Sequence, residues 1–257
     1  MSKTTILNIE IDNVSQGELL AQLKKGVLVT PNVDQVVKMQ SDREYYEIDK
    51  EAEWVICDSK ILYLCSRLTK HPLKETIPGS SFFPDFYEYH KDDENCKIFL
   101  LGGMDGVADK AKDIINHKVG RDIVVGAYSP SYGFEKKQEE NEAIYKMINE
   151  SGATVVLVGV GCPKQEKWID AHKTKMPGVD IWMALGATID FEAGNIKRAP
   201  MIWQKLYMEW FYRFLQEPKR MYKRYFIDDP IFFWHFIKQL LGLYKNPFEP
   251  IEQDKRR

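Results

Sequence analysis

The chain has 257 residues, enough for one large domain or two small ones at about 150 residues per domain. Hydrophobic residues make up 44% and charged residues 29%, ordinary proportions for a soluble protein, which exclude a disordered chain and a fibrous repeat. The 36 basic and 38 acidic residues give a net charge of −2, which excludes a protein that binds nucleic acid with its whole surface.

The positive charge is concentrated near the carboxyl terminus. Residues 197–224 carry eight basic side chains and two acidic ones, a local charge of +6, so the remainder of the chain carries −8. The eight basic residues are Lys197, Arg198, Lys205, Arg213, Lys219, Arg220, Lys223 and Arg224. Such a segment favours contact with an anionic surface.

The cysteines and the apolar runs indicate where in the cell the protein is expected to be. The four cysteines form no C-x-x-C pair and no zinc-spaced cluster with histidine, and we expect Cys57 and Cys96 to be reduced core thiols. The N-terminal residues lack the apolar stretch of a signal peptide, and Ile231–Leu241 has about half of the roughly 20 residues needed to cross a bilayer. We therefore expect a cytoplasmic protein that does not span the membrane.

Residues 1–195 alternate between short apolar runs and helical periods. Strands are predicted at Ile6–Ile11, Val27–Val29, Trp54–Cys57, Lys97–Leu101, Ile123–Ala127, Thr154–Val160 and Ile181–Leu185. Helices are predicted near 15–23, 33–50, 60–69, 106–118, 135–150 and 164–174. Strands separated by helices of this length predict an α/β fold with a mostly parallel sheet flanked by helices.

Several predicted strands end in glycine or a small polar residue just before the next helix. These junctions are 30–32, 58–59, 102–103, 159–161 and 186–188. Because the carboxyl ends of parallel strands share one rim, where ligands bind, we expect Thr30, Asp58 and Gln165 to be neighbours.

The composition changes after about residue 196. One wide apolar helical stripe is formed by Trp203, Leu206, Tyr207, Trp210, Phe211 and Phe214. Pro218 ends or kinks that helix, and a second aromatic run occupies 231–237. The segment is interpreted as a helix packed on the sheet, as an element at an anionic membrane surface, or, against the charge balance, as a nucleic-acid patch. We divide the chain into a core, 1–195, and a helical appendage, 196–257.

Two of the junctions contain residues suited to catalysis or to ligand binding. Asp58 ends a buried strand, where a carboxylate can serve as a general base, although Asp is also a favoured N-cap for a helix from Ser59 onward. The turn at 159–166 has glycines at Gly159 and Gly161, so its N–H groups suit a diphosphate. It matches neither the dinucleotide fingerprint nor a P-loop, and an ordinary tight turn is the alternative.

The remaining polar positions carry weaker signals. Gly102 and Gly103 form a similar turn, typical of turn geometry as much as of ligand contact, and Thr30 to Asn32 suits a helix start. The five histidines fit no hydrolytic triad and no zinc motif. There is no Asp-x-Asp after a strand to hold a divalent ion, so positive side chains and helix dipoles must stabilise any leaving diphosphate.

An ordered series of motifs occupies 158–220. It comprises VGVGCPKQEKWI at 158–169, ALGATIDF at 184–191, GNIKRAP at 194–200, EWFYR at 209–213 and QEPKR at 216–220. This series closely resembles the WecG/TagA/CpsF family of bacterial glycosyltransferases (glycosyltransferase family 26), and the resemblance extends from about Thr30 to about Tyr225. It implies a Rossmann-like core, a C-terminal appendage that contacts the membrane, and an inverting, metal-independent transfer with no cofactor.

The resemblance also implies roles for individual residues. Asp58 matches the proposed base that deprotonates the acceptor hydroxyl. Thr30 and Asn32 match the first substrate-contacting loop, Gln165 matches the pocket glutamine, and Asp190 matches a position beside the nucleotide pocket. From the glycine turns themselves, Gly102, Gly103 and Gly161 are also expected to contact substrate. The cations expected near the diphosphate are Arg213, Arg220 and either Lys223 or Arg224, of which we favour Arg224.

Two departures from the family pattern concern the donor sugar. Many members have Asp-Gly where this chain has Asp58-Ser59, and many have an acid after the glycine where it has Pro78-Gly79-Ser80.

We predict transfer from a UDP-sugar to a polyprenyl-diphosphate-linked sugar in cell-surface polysaccharide synthesis. The first donor to consider is an N-acetylhexosamine such as N-acetylmannosamine, or its uronic acid. The alternatives are a non-catalytic scaffold on the membrane and, less favoured, a nicotinamide-dependent oxidoreductase. Self-association through the aromatic stripe is a further expectation.

Overall fold

A computed structural model describes residues 2–196 and 229–249, together with Pro218 and Tyr222. Its strands are β1 (Lys3–Ile6), β2 (Ile9–Asp12), β3 (Gly26–Val29), β4 (Trp54–Val55), β5 (Ile98–Gly102), β6 (Val124–Tyr128), β7 (Val155–Gly159) and β8 (Ile181–Ala184). Its helices are α1 (Gln16–Gln22), α2 (Val33–Lys38), α3 (Arg43–Glu51), α4 (Lys60–Ser66), α5 (Gly79–Tyr89), α6 (Val107–Val119), α7 (Gln138–Ser151), α8 (Lys164–His172), α9 (Thr188–Glu192) and α10 (Asp229–Leu240).

Within the described residues, six strands form one sheet in the order β4-β3-β8-β7-β5-β6. Every pairing in this sheet is parallel. The predicted α/β fold with a mostly parallel sheet is therefore confirmed, and the carboxyl ends of all six strands lie at one rim.

The central strands are buried on both faces, as in other parallel sheets. In β3, Val27 and Val29 join one apolar cluster and Leu28 joins the other. The first cluster contains side chains of α2, α3, α4, α7 and α8, and the second contains those of α1, α5, α6 and α9. Helices therefore cover both faces, which explains why the strands read as continuous apolar runs.

The prediction of a single strand at Ile6–Ile11 is wrong, because this segment folds back on itself. β1 and β2 form an antiparallel hairpin in which Ile6 is opposite Ile9, and Leu7 has a left-handed φ of 55°. A two-residue hairpin turn keeps the apolar alternation on both sides, so the sequence reads as one strand. The hairpin is tied to the main sheet by Asp12, whose carboxylate accepts the N–H of Val55 at 2.8 Å.

The predicted helix at 33–50 is two helices, α2 and α3. The break lies before Asp42, whose carboxylate accepts the Tyr45 N–H at 3.0 Å and so starts the second helix. A further helix, α5, occupies a stretch for which the sequence pattern predicts neither a helix nor a strand. Its buried aromatic face comprises Phe82, Phe83, Phe86 and Tyr87, and Pro84 within it masked the helical pattern.

The second aromatic run forms α10, which packs on α2 through Phe232 and Phe236. Gln239 fastens it to the hairpin, since it accepts the Leu7 N–H at 2.8 Å and donates to the Thr5 carbonyl at 3.0 Å. The apolar stripe predicted at 203–214 lies outside the described residues, and the division at residue 196 stays a prediction. Among residues 2–196 and 229–249, no helix is both long and apolar enough to cross a bilayer.

Glycine backbones meet at the middle of the rim. A Cβ at Gly102 would clash with the Gly159 carbonyl oxygen, and one at Gly159 would lie 2.6 Å from the Gly186 carbonyl oxygen. Neither space admits a side chain, so the ends of β5, β7 and β8 approach one another only because glycine occupies these positions.

The substitution Gly159→Ala is expected to lower the free energy of unfolding by about 1–3 kcal/mol, because the new methyl group is forced against a backbone carbonyl. Gly17→Ala is the control: nothing lies within 4 Å of its Cβ position in α1, so alanine should raise the free energy of unfolding by about 0.5–1 kcal/mol. Urea denaturation of both variants checks the pair. Equal stability of Gly159→Ala and the wild type would contradict the close approach of the loops.

Candidate active site at the carboxyl rim

The rim of the sheet opens where helices leave neighbouring strands in opposite directions. α2 and α8, which follow β3 and β7, pack in one apolar cluster, whereas α6 and α9, which follow β5 and β8, pack in the other. The neighbours β3/β8, β8/β7 and β7/β5 therefore send their helices to opposite faces. In open α/β sheets, such a change of direction at the carboxyl ends of the strands marks the place where ligands bind.

Asp58 lies at this rim beside the loop that follows β3. Its N–H donates to the Pro31 carbonyl at 3.4 Å, which brings together two segments predicted to be neighbours. The residue is half-buried. The interpretation of Asp58 as a helix cap is wrong, because the Ser59 hydroxyl accepts the Leu62 N–H at 3.3 Å and caps α4 instead.

The loop after β3 is held by a capping box. The Asn32 side-chain oxygen accepts the Gln35 N–H at 3.3 Å, and the Gln35 side chain accepts the Asn32 N–H at 2.8 Å. The predicted helix start is thus confirmed, and Thr30 just before it is buried. Contact of Thr30 and Asn32 with a substrate stays a prediction.

The loop after β7 joins the centre of the rim to the start of α8. Gly161 is exposed and has a left-handed φ of 89°, with open space where a Cβ would stand. Gln165 in the first turn of α8 is buried, and its side-chain oxygen accepts the Gly186 N–H at 3.1 Å. Gln165 therefore fastens the β7 loop to the β8 loop, whatever contact it makes with a ligand.

Gly102 and Gly103 have a packing explanation of their own. Gly102 has a φ of 146° and faces the Gly159 backbone, and the Gly103 N–H donates to the Gly159 carbonyl at 3.3 Å. A Cβ at Gly103 would lie 3.0 Å from Val107. Close backbone packing thus accounts for both glycines, and their contact with a substrate stays a prediction.

The other predicted site residues are divided between α9 and the appendage. Asp190 lies in the first turn of α9, is half-buried, and has a pKa raised by that burial. Arg213, Arg220 and Arg224 lie outside the described residues. The described part of the rim thus provides a half-buried carboxylate, Asp58, on one side and a glycine turn with a helix N-terminus on the other.

A pair of buried acids that the sequence analysis missed lies behind the rim. Glu166 is 1% exposed, and burial raises its pKa to about 7. Asp49 of α3 is 2% exposed, and burial, together with the negative charge of Glu166, raises its pKa to about 7. Within the described part of the chain, Oδ1 of Asp49 and Oε2 of Glu166 have no hydrogen-bond partner. Such groups cost stability when they are ionised.

Tyr45 and Cys162 surround these acids. The Cys162 thiol donates to the Tyr45 hydroxyl at 3.2 Å. Burial and then the charge of Glu166 raise the pKa of both groups, that of Cys162 to about 12. Asp49 follows Tyr45 by four residues, on the buried side of α3, and that spacing was the available sequence signal for its burial.

Tyr132, in the loop after β6, is a further residue at the rim that no sequence motif indicated. Its side chain is 96% exposed, and the Lys164 ammonium lies 5.4 Å from the centre of its ring. Because Lys164 begins α8, the ring lies beside the turn that contains Gly161. An exposed aromatic ring at such a rim is suited to stacking on a flat ligand group.

The chain also matches a known protein family. The model of the glycosyl transferase WecG/TagA/CpsF family matches residues 4–246, nearly the whole chain. The chain therefore belongs to this family of glycosyltransferases, which is involved in cell-surface polysaccharide biosynthesis.

The buried acid pair predicts how stability changes with pH. A carboxyl whose pKa rises from 3.8 to about 7 on folding holds its proton longer in the folded state, so the free energy of unfolding falls as the pH rises between these values. Asp49→Asn removes this loss. From about pH 5 to about pH 8, the free energy of unfolding of Asp49→Asn should gain roughly 2–3 kcal/mol relative to that of the wild type.

Asp42→Asn is the control for this measurement. Its pKa is lowered: partial burial opposes the shift, and hydrogen bonds from Lys167 and the Tyr45 N–H outweigh the burial. The contribution of Asp42 is therefore complete above its unfolded pKa and constant from about pH 5 to about pH 8. Urea denaturation at the two pH values compares the variants, and a pH-independent effect of Asp49→Asn would contradict a raised pKa.

Proposed function

We propose that this member of the WecG/TagA/CpsF family transfers a sugar from a UDP-sugar to a polyprenyl-diphosphate-linked sugar with inversion and without a metal ion. N-acetylmannosamine, another N-acetylhexosamine or its uronic acid is the first donor to test, and glucose is the next. The product enters a cell-surface polysaccharide. The observation that carries the proposal is the position of Asp58, a half-buried carboxylate at the carboxyl rim of the sheet, beside the loop that follows β3.

In this mechanism Asp58 is the general base. Its carboxylate accepts the proton of the acceptor hydroxyl as the hydroxyl oxygen attacks the anomeric carbon of the donor. The bond between that carbon and the diphosphate oxygen breaks on the opposite side, so the configuration inverts and UDP leaves. The Asn32 capping box holds the β3 loop beside Asp58, which supports an ordered approach of the acceptor.

The departing diphosphate is received by backbone N–H groups and cations. The turn at Gly161 leads into α8, whose N-terminus carries a partial positive charge, and Lys164 lies in that first turn. Arg213, Arg220 and Arg224 of the appendage supply further positive charge in this proposal. Tyr132, beside Lys164, is suited to stack on the uracil ring.

Peripheral attachment to the cytoplasmic face of the membrane completes the proposal. α10 buries Phe232 and Phe236 but exposes apolar side chains on its other faces, namely Ile231, Phe233, Trp234, Ile237 and Leu240. Lys238 lies 5.0 Å from the centre of the Trp234 ring, a pairing suited to the interface of an anionic bilayer. The +6 charge of residues 197–224 strengthens this attraction.

Asp58→Asn is expected to lower kcat by about 10²–10⁴ and to leave UDP affinity unchanged, because it removes the proton acceptor but not the binding groups. The assay is UDP release from a panel of UDP-sugars, with a short-chain polyprenyl-diphosphate-linked N-acetylglucosamine acceptor and excess EDTA. Asp105→Asn is the matched control, since Asp105 is an exposed carboxylate in the loop after β5, at the same rim but with three strands between β5 and β4.

The outcomes separate the alternatives. Normal turnover by folded Asp58→Asn would eliminate Asp58 as the base. A wild-type protein that binds UDP but turns over no donor would point to another acceptor, and one that does not bind UDP would favour the scaffold. Loss of turnover in EDTA, restored by a divalent ion, would contradict metal independence.

The double variant Trp234→Asp, Ile237→Asp is expected to lose on the order of tenfold in affinity for vesicles that contain anionic lipid, because two buried contacts with the bilayer are replaced by negative charges. The control is Tyr89→Asp, which alters an exposed ring of α5, the helix that packs in the other apolar cluster. Co-sedimentation at low and high salt measures both variants. Equal binding by the double variant and the wild type would remove α10 from the membrane contact.

A further inference from the structure

A chain of two hydrogen bonds connects a buried carboxylate to the rim. The Gly186 N–H donates to the Gln165 side-chain oxygen at 3.1 Å, and the Gln165 side-chain nitrogen donates to Oε1 of Glu166 at 2.9 Å. Gln165 and Glu166 are each 1% exposed. The carboxylate thus acts on the β8 loop through the amide between them.

The two partners fix the direction of that amide. An N–H at Gly186 requires the amide oxygen, and a carboxylate oxygen at Glu166 requires the amide nitrogen. A flipped Gln165 would set its NH₂ group against an N–H and its oxygen against a carboxylate, so both bonds would be lost. Glu166 therefore selects the one orientation in which Gln165 can hold Gly186.

The β8 loop that Gln165 holds lies at the middle of the sheet rim. The Gly186 carbonyl approaches Gly159 so closely that a Cβ there would stand 2.6 Å away, and Ala187 and Thr188 lead directly into α9. The N-terminus of α8 lies at the other end of the Gln165 bond. The two hydrogen bonds from Gly186 through Gln165 to Glu166, called the relay below, thereby set the spacing between the β8 loop and the turn proposed to receive the diphosphate.

A purely structural role does not account for a carboxylate in this position. Oε2 of Glu166 has no hydrogen-bond partner in the described part of the chain. The charged or titratable groups that act on Glu166 are Asp49 and Tyr45 of α3, Cys162 of the preceding loop and Lys38 of α2. An apolar residue would fill the same space without burying a charge beside another acid.

We propose that Glu166 is a positioning residue for the donor site: it orients Gln165, which holds the β8 loop, and it does not touch the substrate. The proposal rests on the proposed function, because the loop borders the site assigned to the UDP-sugar. It makes Glu166 necessary for donor affinity although its removal relieves the core of a buried acid.

Four full-length variants test this relay. Glu166→Leu removes the acceptor and fills the space, Glu166→Gln keeps an acceptor oxygen for the Gln165 N–H, and Gln165→Leu removes the middle of the relay. Asp49→Asn is the matched control, since it changes the other buried acid of the cluster, which has no hydrogen bond to Gln165. Each variant is measured for donor KM, kcat, thermal stability and amide hydrogen exchange of the peptide that contains 185–190.

In Glu166→Leu and Gln165→Leu, donor KM should rise on the order of tenfold, and the 185–190 amides should exchange on the order of tenfold faster. Glu166→Gln and Asp49→Asn should remain near the wild type in both measurements. Glu166→Leu removes a buried acid but leaves the buried Gln165 N–H without an acceptor, so its stability should stay near that of the wild type while its donor affinity falls.

The exchange measurement needs no substrate, so it separates this proposal from the proposed function. Faster exchange in a protein that turns over no UDP-sugar would support the relay and contradict the proposed donor. Unchanged exchange in folded Glu166→Leu, or in Gln165→Leu if the former does not fold, would overturn the relay. An equal loss of donor affinity in Asp49→Asn and Glu166→Leu would overturn it as well, because it would indicate a general response to changes in the buried cluster.

Discussion

The contact between the Gly159 carbonyl and the Gly102–Gly103 backbone sets the spacing at the middle of the sheet rim. Gly103 donates to this carbonyl at 3.3 Å, and no side chain fits at Gly102 or Gly159. Because Gly159 is also in close contact with Gly186, the ends of β5, β7 and β8 form one connected backbone surface. A polar ligand can then meet several backbone groups at once, which a wider spacing of loops would prevent.

Around that surface, the direction in which the helices leave the strands determines which part of the rim they cover. α2 and α8 pack on one face of the sheet, and α6 and α9 pack on the other, so the rim divides above β3, β8 and β7. Asp58 lies at the side of this opening, tied to the β3 loop through Pro31. The proposed base for the acceptor and the proposed anion site for the donor lie at separate places along one rim.

The carboxylate at the rim and the two carboxyl groups behind it differ in their exposure to solvent. Asp58 is half-buried at the rim, whereas Glu166 and Asp49 lie within the layer of helices behind it, where burial raises the pKa of each to about 7. Two such carboxyls reduce stability at neutral pH. Natural proteins keep destabilising polar groups mainly where a site requires them, which agrees with the connection of Glu166 through Gln165 to the rim.

The sequence alone determined the parallel α/β sheet, because buried strands read as apolar runs at a spacing that only crossover helices can bridge. It placed Thr30 and Asp58 in the loops after strands and Gln165 at the start of the helix after β7. It also carried the family motifs. It did not distinguish the β1–β2 hairpin from one strand, since a two-residue turn leaves the alternation intact. The burial of Asp49 and Glu166 was decided only by tertiary structure, because the packing of α3 against α8 removes water from both acids, and that contact joins residues more than a hundred positions apart.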